Sequence, residues 1–335
     1  MQKQVKMADI AQVLGVSVVT VSKALSGKDG VGDELRAKII STADEMGYQA
    51  KRKIIEENKI FKIGILTQQK FIAKGHSFYW SLYEKLILNL NEKGFLGILE
   101  IVSDEDALSA SLPKLIQSEK IDGFILMGDF SSEYRDNLIN AGLIFVGLDT
   151  FDSDCPYDTV ISDGYYGMYI ATKYLLKMGH RKISFVGTVG ATASITDRFY
   201  GYCRAMREAG IKTNEIMAVP DRDKSGKLKV SLENVSEMPT AFACNCDMTA
   251  YYLINVLTEN GYKVPDDVSI VGFDNDLFSE MARPKITTYA INLDKMTSAC
   301  VEQLQYRLKY PMKHFSHIII SGYLIQRNSV KNISK

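Results

Sequence analysis

Gly15-Val16-Ser17-Val18-Val19-Thr20-Val21-Ser22-Lys23-Ala24-Leu25-Ser26 is a glycine turn that runs straight into a short capped helix. Glycine adopts at little cost the left-handed backbone that ends one helix, and a serine side chain caps the next. Val21, Ala24 and Leu25 recur at helical spacing and face inward, so Ser17, Val18, Val19, Ser22 and Lys23 share the exposed face. Such a face suits docking in the major groove of DNA, with hydroxyls and amides for phosphates and helix N-terminal side chains for base edges. By spacing alone an ordinary helical hairpin fits equally well.

Working outward, Met7, Ile10, Ala11 and Leu14 lie on one face of a preceding helix that Gly15 stops. A third helix is expected from about Asp33 to Met46, with Leu35, Ile39, Ala43 and Met46 inward and Gly47 at its end; Ser26-Gly27 closes the second. Residues 1–48 therefore read as a compact trihelical, helix-turn-helix unit. Residues 49–60 are charged and lack a buried face, which marks a linker. Residues 1–53 hold nine basic side chains against six acidic ones, while the whole chain has a formal net charge of zero. That local excess alone carries no argument for nucleic acid.

From Phe61 the pattern changes. Short apolar runs (Ile63 to Leu66, Phe95 to Ile101, Gly123 to Met127, Ile144 to Leu148) alternate with helical stretches near 77–93, 105–119 and 132–141. The alternation restarts with a helix at 165–178, strands at Lys182–Gly187, Ile216–Val219, Ala241–Cys244 and Val268–Phe273, and helices at 196–209 and 248–260. Strands alternating with helices mean parallel sheets, and two successive sets exceed one doubly wound domain. An α/β core of two lobes over 61–330 follows: lobe 1 about 61–161 plus 290–321, lobe 2 about 162–289 plus 322–330. Chain crossovers fall near 160–163, 287–292 and 320–323. Ligands of such sheets bind beyond the carboxyl ends of the strands, here in the cleft between lobes.

Composition narrows the rest. Of the 335 residues 46% are hydrophobic and 24% charged, ordinary for a globular protein, and no apolar run approaches the roughly 18 residues of a membrane span. Met1-Gln2-Lys3-Gln4 leads into a half-polar, acid-containing helix, so neither a secretory signal nor a transit peptide is read there and the cytoplasm is the expected compartment. Five scattered cysteines, Cys155, Cys203, Cys244, Cys246 and Cys300, read as reduced thiols. Cys244-Asn245-Cys246 lacks a second ligand pair, so no metal is expected. Nor is a cofactor: Gly64-Ile65-Leu66-Thr67-Gln68-Gln69-Lys70 is no dinucleotide fingerprint, and phosphate loops, serine elbows and metal-ligand helices are missing. Asp152-Ser153-Asp154 lacks the glycine and glutamate of a calcium loop.

Certain residues resemble a family. Asp9-Ile10-Ala11, Gly15-Val16-Ser17, Thr20-Val21-Ser22-Lys23-Ala24-Leu25 and Glu45-Met46-Gly47-Tyr48 look like the DNA-binding head of the LacI/GalR regulators. The likeness continues through Lys62-Ile63-Gly64-Ile65, Asp122-Gly123-Phe124, Met178-Gly179-His180-Arg181-Lys182-Ile183, Asp197-Arg198-Phe199-Tyr200-Gly201, Pro239-Thr240-Ala241 and Pro265 to Asp274. The resemblance implies a homodimeric, non-enzymatic repressor on a near-palindromic double-stranded operator, its affinity set by a small molecule, a sugar, between two periplasmic-binding-protein-like lobes. It places Val18, Val19 and Lys23 nearest bases and Ser17, Thr20 and Ser22 near phosphates. Two valines suit apolar contact with thymine methyls better than bidentate hydrogen bonding.

Departures from the family pattern matter. Lys6 stands where a capping threonine is usual. The usual hinge is replaced by Gln49-Ala50-Lys51-Arg52-Lys53-Ile54-Ile55-Glu56-Glu57, where acidic Glu56 and Glu57 oppose a minor-groove wedge and Lys51, Arg52 and Lys53 are left to hold phosphates. For the effector, the resemblance maps onto Asp149, Arg198, Asn245 and Asp274, a set suited to hydroxyls that both donate and accept. Asn245-Cys246-Asp247 leaves open whether Asp247 serves as the usual carboxylate. Phe78 and Trp80, around Tyr79 at a helix start, are candidates to stack on a sugar ring, with ordinary packing as the alternative. Inducer and corepressor leave the same pattern, and a two-lobed solute-binding protein without direct DNA regulation is the rival reading of the core.

Overall fold

In the computed structural model the described residues are 5–25, 30–46, 48, 60–72, 77–151, 156–212, 217–224, 226–233, 235 and 237–334. Ser26, Gly27, Gly47, Lys51, Arg52, Lys53, Glu56, Glu57, Cys155 and Ile216, all invoked above, lie outside them. The chain divides into two units, residues 1–60 and 61–335.

The first unit holds α1 (Met7–Leu14), α2 (Val18–Leu25) and α3 (Asp33–Glu45). The missing threonine at α1 is replaced from inside the helix: the Lys6 N–H donates to Asp9 Oδ2 at 2.6 Å, and the Asp9 N–H to the Lys6 carbonyl. Gly15, at φ 65°, then ends α1. Ile10, Ala11, Val21, Ala24, Val31, Ile39 and Ala43 form the core. One inward assignment needs correction. Leu35 is exposed, and Arg36 turns inward instead, donating to the carbonyls of Ala24 and Val31. The buried line of α3 thus runs Arg36, Ile39, Ala43, at helical spacing.

The second unit opens with β1 (Lys62–Gln68), α4 (Gln69–Ile72), α5 (Ser77–Glu92), β2 (Leu96–Val102), α6 (Asp104–Leu108), α7 (Leu115–Ser118), β3 (Gly123–Met127), α8 (Ser132–Asn140), β4 (Phe145–Leu148) and β5 (Asp158–Ser162). The single helix expected at 105–119 is two short ones: Ala110 takes φ 50°, and Pro113 disfavours helix in the residue before it. The chain then builds α9 (Gly164–Lys177), β6 (Ile183–Val186), α10 (Ala193–Glu208), β7 (Met217–Val219), β8 (Ala241–Cys244), α11 (Asp247–Glu259), β9 (Ser269–Asp274), α12 (Leu277–Met281) and β10 (Thr287–Ala290). It closes with α13 (Leu293–Lys309), β11 (His317–Ile320) and β12 (Tyr323–Ile325).

These strands make two six-stranded sheets, ordered β11-β5-β4-β3-β1-β2 and β12-β10-β9-β8-β6-β7. Every pairing is parallel except β10 with β12. The chain passes between sheets after β5, after β10 and after β11, so α13 and β11 complete lobe 1 while β12 completes lobe 2. In lobe 1, α13 packs on α5, β3, β4 and β5, and its buried Arg307 donates to both Asp158 oxygens (2.6 and 3.0 Å). In lobe 2, α9 and α10 meet closely because Gly201 has no side chain: a Cβ there would lie 2.0 Å from the Tyr165 carbonyl oxygen. No single described helix is long and apolar enough to cross a membrane.

Candidate functional site

In the head, Ser17 caps α2: its hydroxyl accepts from the Thr20 N–H at 3.0 Å and lies 2.8 Å from the Thr20 hydroxyl. Burial of Val21 and Ala24 fixes the helix roll and turns out Val18, 46% exposed, and Val19, 65% exposed, beside exposed Ser22 and Lys23. Val18 and Val19 are not part of the head's core and form an exposed aliphatic pair at the helix N-terminus.

In the core, the carboxyl ends of strands from both lobes bring charged side chains together. Asp149 follows β4 at φ 58°, and Asp274 ends β9 at φ 104° with Asn275 at 59°. Left-handed backbone in non-glycine residues is costly, and strain of this kind gathers at binding sites. Arg198, in the first half of α10, donates through Nη1 to the Asn245 carbonyl (2.7 Å) and through Nη2 to Asp274 Oδ1 (3.1 Å). Its guanidinium stacks 3.9 Å from the Phe273 ring centroid. The buried Arg198 Nε has no hydrogen-bond partner among the described residues, a donor that a ligand oxygen would satisfy.

Burial dominates the electrostatics. It pushes Asp149 up to about 6, against the Arg198 charge and the Tyr79 hydrogen bond, which pull down. Burial likewise raises Asp274, with Arg198 opposing, and raises Asp276. The cleft is thus acidic, with one guanidinium at its centre and carboxyl groups able to switch between acceptor and donor.

Three side chains depart from the sequence-based picture. Asn245 contributes its carbonyl to Arg198, but its amide points into lobe 2, donating to Asp221 Oδ2 (2.7 Å) and to the Val186 carbonyl (2.9 Å). Trp80 is 45% exposed, with its indole N–H on the Ile72 carbonyl, and Phe78 packs half-buried against the main core. The aromatic that reaches Asp149 is Tyr79, whose hydroxyl donates to Asp149 Oδ2 at 2.9 Å. Helical phase carried that signal, since Tyr79, Leu82, Leu86 and Leu90 share the buried face of α5. Asp247 opens α11. It is fully buried, its Oδ2 accepts the Asp276 N–H (3.1 Å), and a Cβ on Gly272 would lie 2.0 Å from its Oδ1. Burial holds it well above the usual carboxylate range, and its bond to the Asp276 N–H supports the 274–276 loop. Among the described residues no three His, Cys, Asp or Glu side chains group to hold a metal ion.

A model of bacterial regulatory proteins of the lacI family matches residues 6–51, which contain the helix-turn-helix, and a periplasmic binding protein-like domain matches residues 172–330. The chain belongs to the LacI family. Among its relatives, the transcriptional repressor PurR of Vibrio campbellii is 27% identical over 97% of this chain and 98% of its own length. The transcriptional regulator DegA of Bacillus subtilis is 28% identical over 86% and 87%. The structure of an Enterococcus faecium LacI-family regulator with bound ribose superposes with TM-score 0.69 at 25% identity, covering 82% of this chain and all of that one. That of the regulator CelR in complex with cellobiose has TM-score 0.69 at 22% identity, covering 97% and 100%. This LacI-family member is a DNA-binding transcription regulator with an effector-binding core, and its named relatives are transcriptional regulators rather than enzymes.

Proposed function

We propose that this regulator is a cytoplasmic, homodimeric repressor of a near-palindromic operator, controlled by a sugar held between its lobes by Asp149, Arg198 and Asp274. The observation that carries the reading is the convergence of these three side chains from different strand and helix ends on one cleft, with Arg198 Nε unpartnered. Sugar-bound relatives of the same fold support the ligand class. Ser17, Val18, Val19, Thr20, Ser22 and Lys23 form the base- and phosphate-contacting surface of each head, and Lys51, Arg52 and Lys53 of the linker add phosphate contacts. Coupling is a shared equilibrium: sugar favours one lobe arrangement, the arrangement changes operator affinity, and the effect is reciprocal in free energy.

Selection of bound sequences from random duplex DNA should return a two-fold symmetric site whose affinity falls steeply with salt. Addition of D-ribose, D-glucose or cellobiose should then change that affinity, and Arg198→Ala should abolish the change while operator binding persists. Loss of both activities together would make Arg198 structural and overturn its assignment to the effector.

A further inference from the structure

Asp276 is held on every polar group. Its Oδ1 accepts the Phe278 N–H at 2.9 Å, capping α12, and its carbonyl accepts the Ser279 hydroxyl at 2.7 Å. Its own N–H donates to Asp247 Oδ2 at 3.1 Å. These three bonds stay within lobe 2. The fourth leaves it: the Ser77 hydroxyl, at the first residue of α5 in lobe 1, donates to Asp276 Oδ2 at 2.8 Å. Neither Ser77 nor Asp276 lies on a crossover segment, so this bond joins α5 of lobe 1 to the start of α12 in lobe 2 in addition to the chain crossovers. A rotation about the crossovers can break it while leaving α12 and the 274–276 loop intact.

We propose that Asp276 is a positioning residue for the effector response: by accepting Ser77 across the cleft, it holds the two lobes in the arrangement that an effector captures. The carboxylate does not need to touch the ligand. It acts through α5, whose first turn carries Ser77 and also Tyr79, the group bonded to Asp149. The charged and titratable groups around the contact are Asp149 and Tyr79 from lobe 1 and Arg198, Asp247 and Asp274 from lobe 2. One cross-cleft hydrogen bond changes the ratio of closed to open protein by about two- to tenfold. Effector affinity scales with that closed fraction. The effector part rests on the proposed function; the latch itself does not.

The chain carries one tryptophan, Trp80, three residues after Ser77 on α5. In the full-length protein, Asp276→Ala in lobe 2 should change the acrylamide quenching of Trp80 in lobe 1 as Ser77→Ala does. The double variant should go no further than either single one, and Asp276→Asn, whose oxygen can cap α12 while its amide N–H donates to Ser77 Oγ, should behave as wild type. For whichever of D-ribose, D-glucose and cellobiose binds, Ser77→Ala and Asp276→Ala should each raise its dissociation constant about two- to tenfold, and Asp276→Asn should leave it unchanged. Trp80 quenching that ignores Asp276→Ala, or additive effects in the double variant, would overturn the latch. If none of the three sugars binds, the proposed effector class fails on its own, while the Trp80 cycle still decides the latch.

Discussion

Asp149 sits at a value where ordinary pH changes its charge, because burial lifts it to about 6 despite Arg198 and Tyr79. Its folded value lies above the unfolded value of about 3.9, so ionising it costs stability that is fully retained only below about pH 4 and lost as pH rises through 6. Asp149→Asn removes that cost. The melting temperature of the variant relative to wild type should therefore climb from pH 4.5 to pH 7; a constant difference would place Asp149 in the normal carboxylate range. Sugar affinity should also change across this window in wild type and less steeply in the variant, where only Asp274 of the two sugar-contacting carboxyls is left to titrate, since a protonated Asp149 donates where the ionised form only accepts. The choice of Asp149, Arg198 and Asp274 as effector contacts came from the family resemblance, whereas the strand and helix ends at or near which they stand were legible in the alternation. The turn of the Asn245 amide was not, because its partner Asp221 lies 24 residues earlier, on the far side of an irregular stretch.

At the scale of elements, phase decides which side chains a helix offers. α2 offers Val18, Val19, Ser22 and Lys23 because Val21 and Ala24 are fully buried. Lys51→Ala in the linker should weaken binding to all DNA sequences alike and lower the salt slope by about one, the signature of a lost phosphate contact. Val19→Ala should instead relax discrimination at one base position by about 1 kcal/mol with the salt slope unchanged. Competition binding over a salt series separates these outcomes, and a sequence-selective loss in Lys51→Ala would move that residue from the backbone to a base edge. The same rule explains the two helical misreadings. In α3 a long Arg36 stem replaces a leucine on the buried face, and in α5 the inward aromatic is the middle one of three. Apolar character suggested Leu35, Phe78 and Trp80, but amphipathic side chains such as arginine and tyrosine can also fill inward positions. The break between α6 and α7 was signalled by Pro113 and outweighed by the apparent periodicity.

Across the whole molecule, alternation of short apolar runs with helices was enough to reveal two parallel sheets, because strands buried on both faces read as continuous apolar stretches. The closing strands were harder: β11 and β12 have four and three residues, and half-exposed edge strands that short carry little pattern. The proposed dimer belongs to this scale too. Leu277 and Met281 of α12 are 59% and 49% exposed, beside the Tyr252–Phe278 ring contact. Leu277→Asp should shift the protein toward monomer in sedimentation and cost operator affinity, whereas an unchanged dimer would move the interface elsewhere. The closing strands have a further consequence, one of timing. Lobe 1 takes α13 and β11, and lobe 2 takes β12, from residues 293–325, so neither sheet is complete until that stretch has been made. The helix-turn-helix, built from residues within the first 48, can fold long before that. A nascent chain therefore presents a finished DNA reader attached to a sensor that does not yet exist, and a stop codon between β10 and β11 leaves both lobes short of their closing elements.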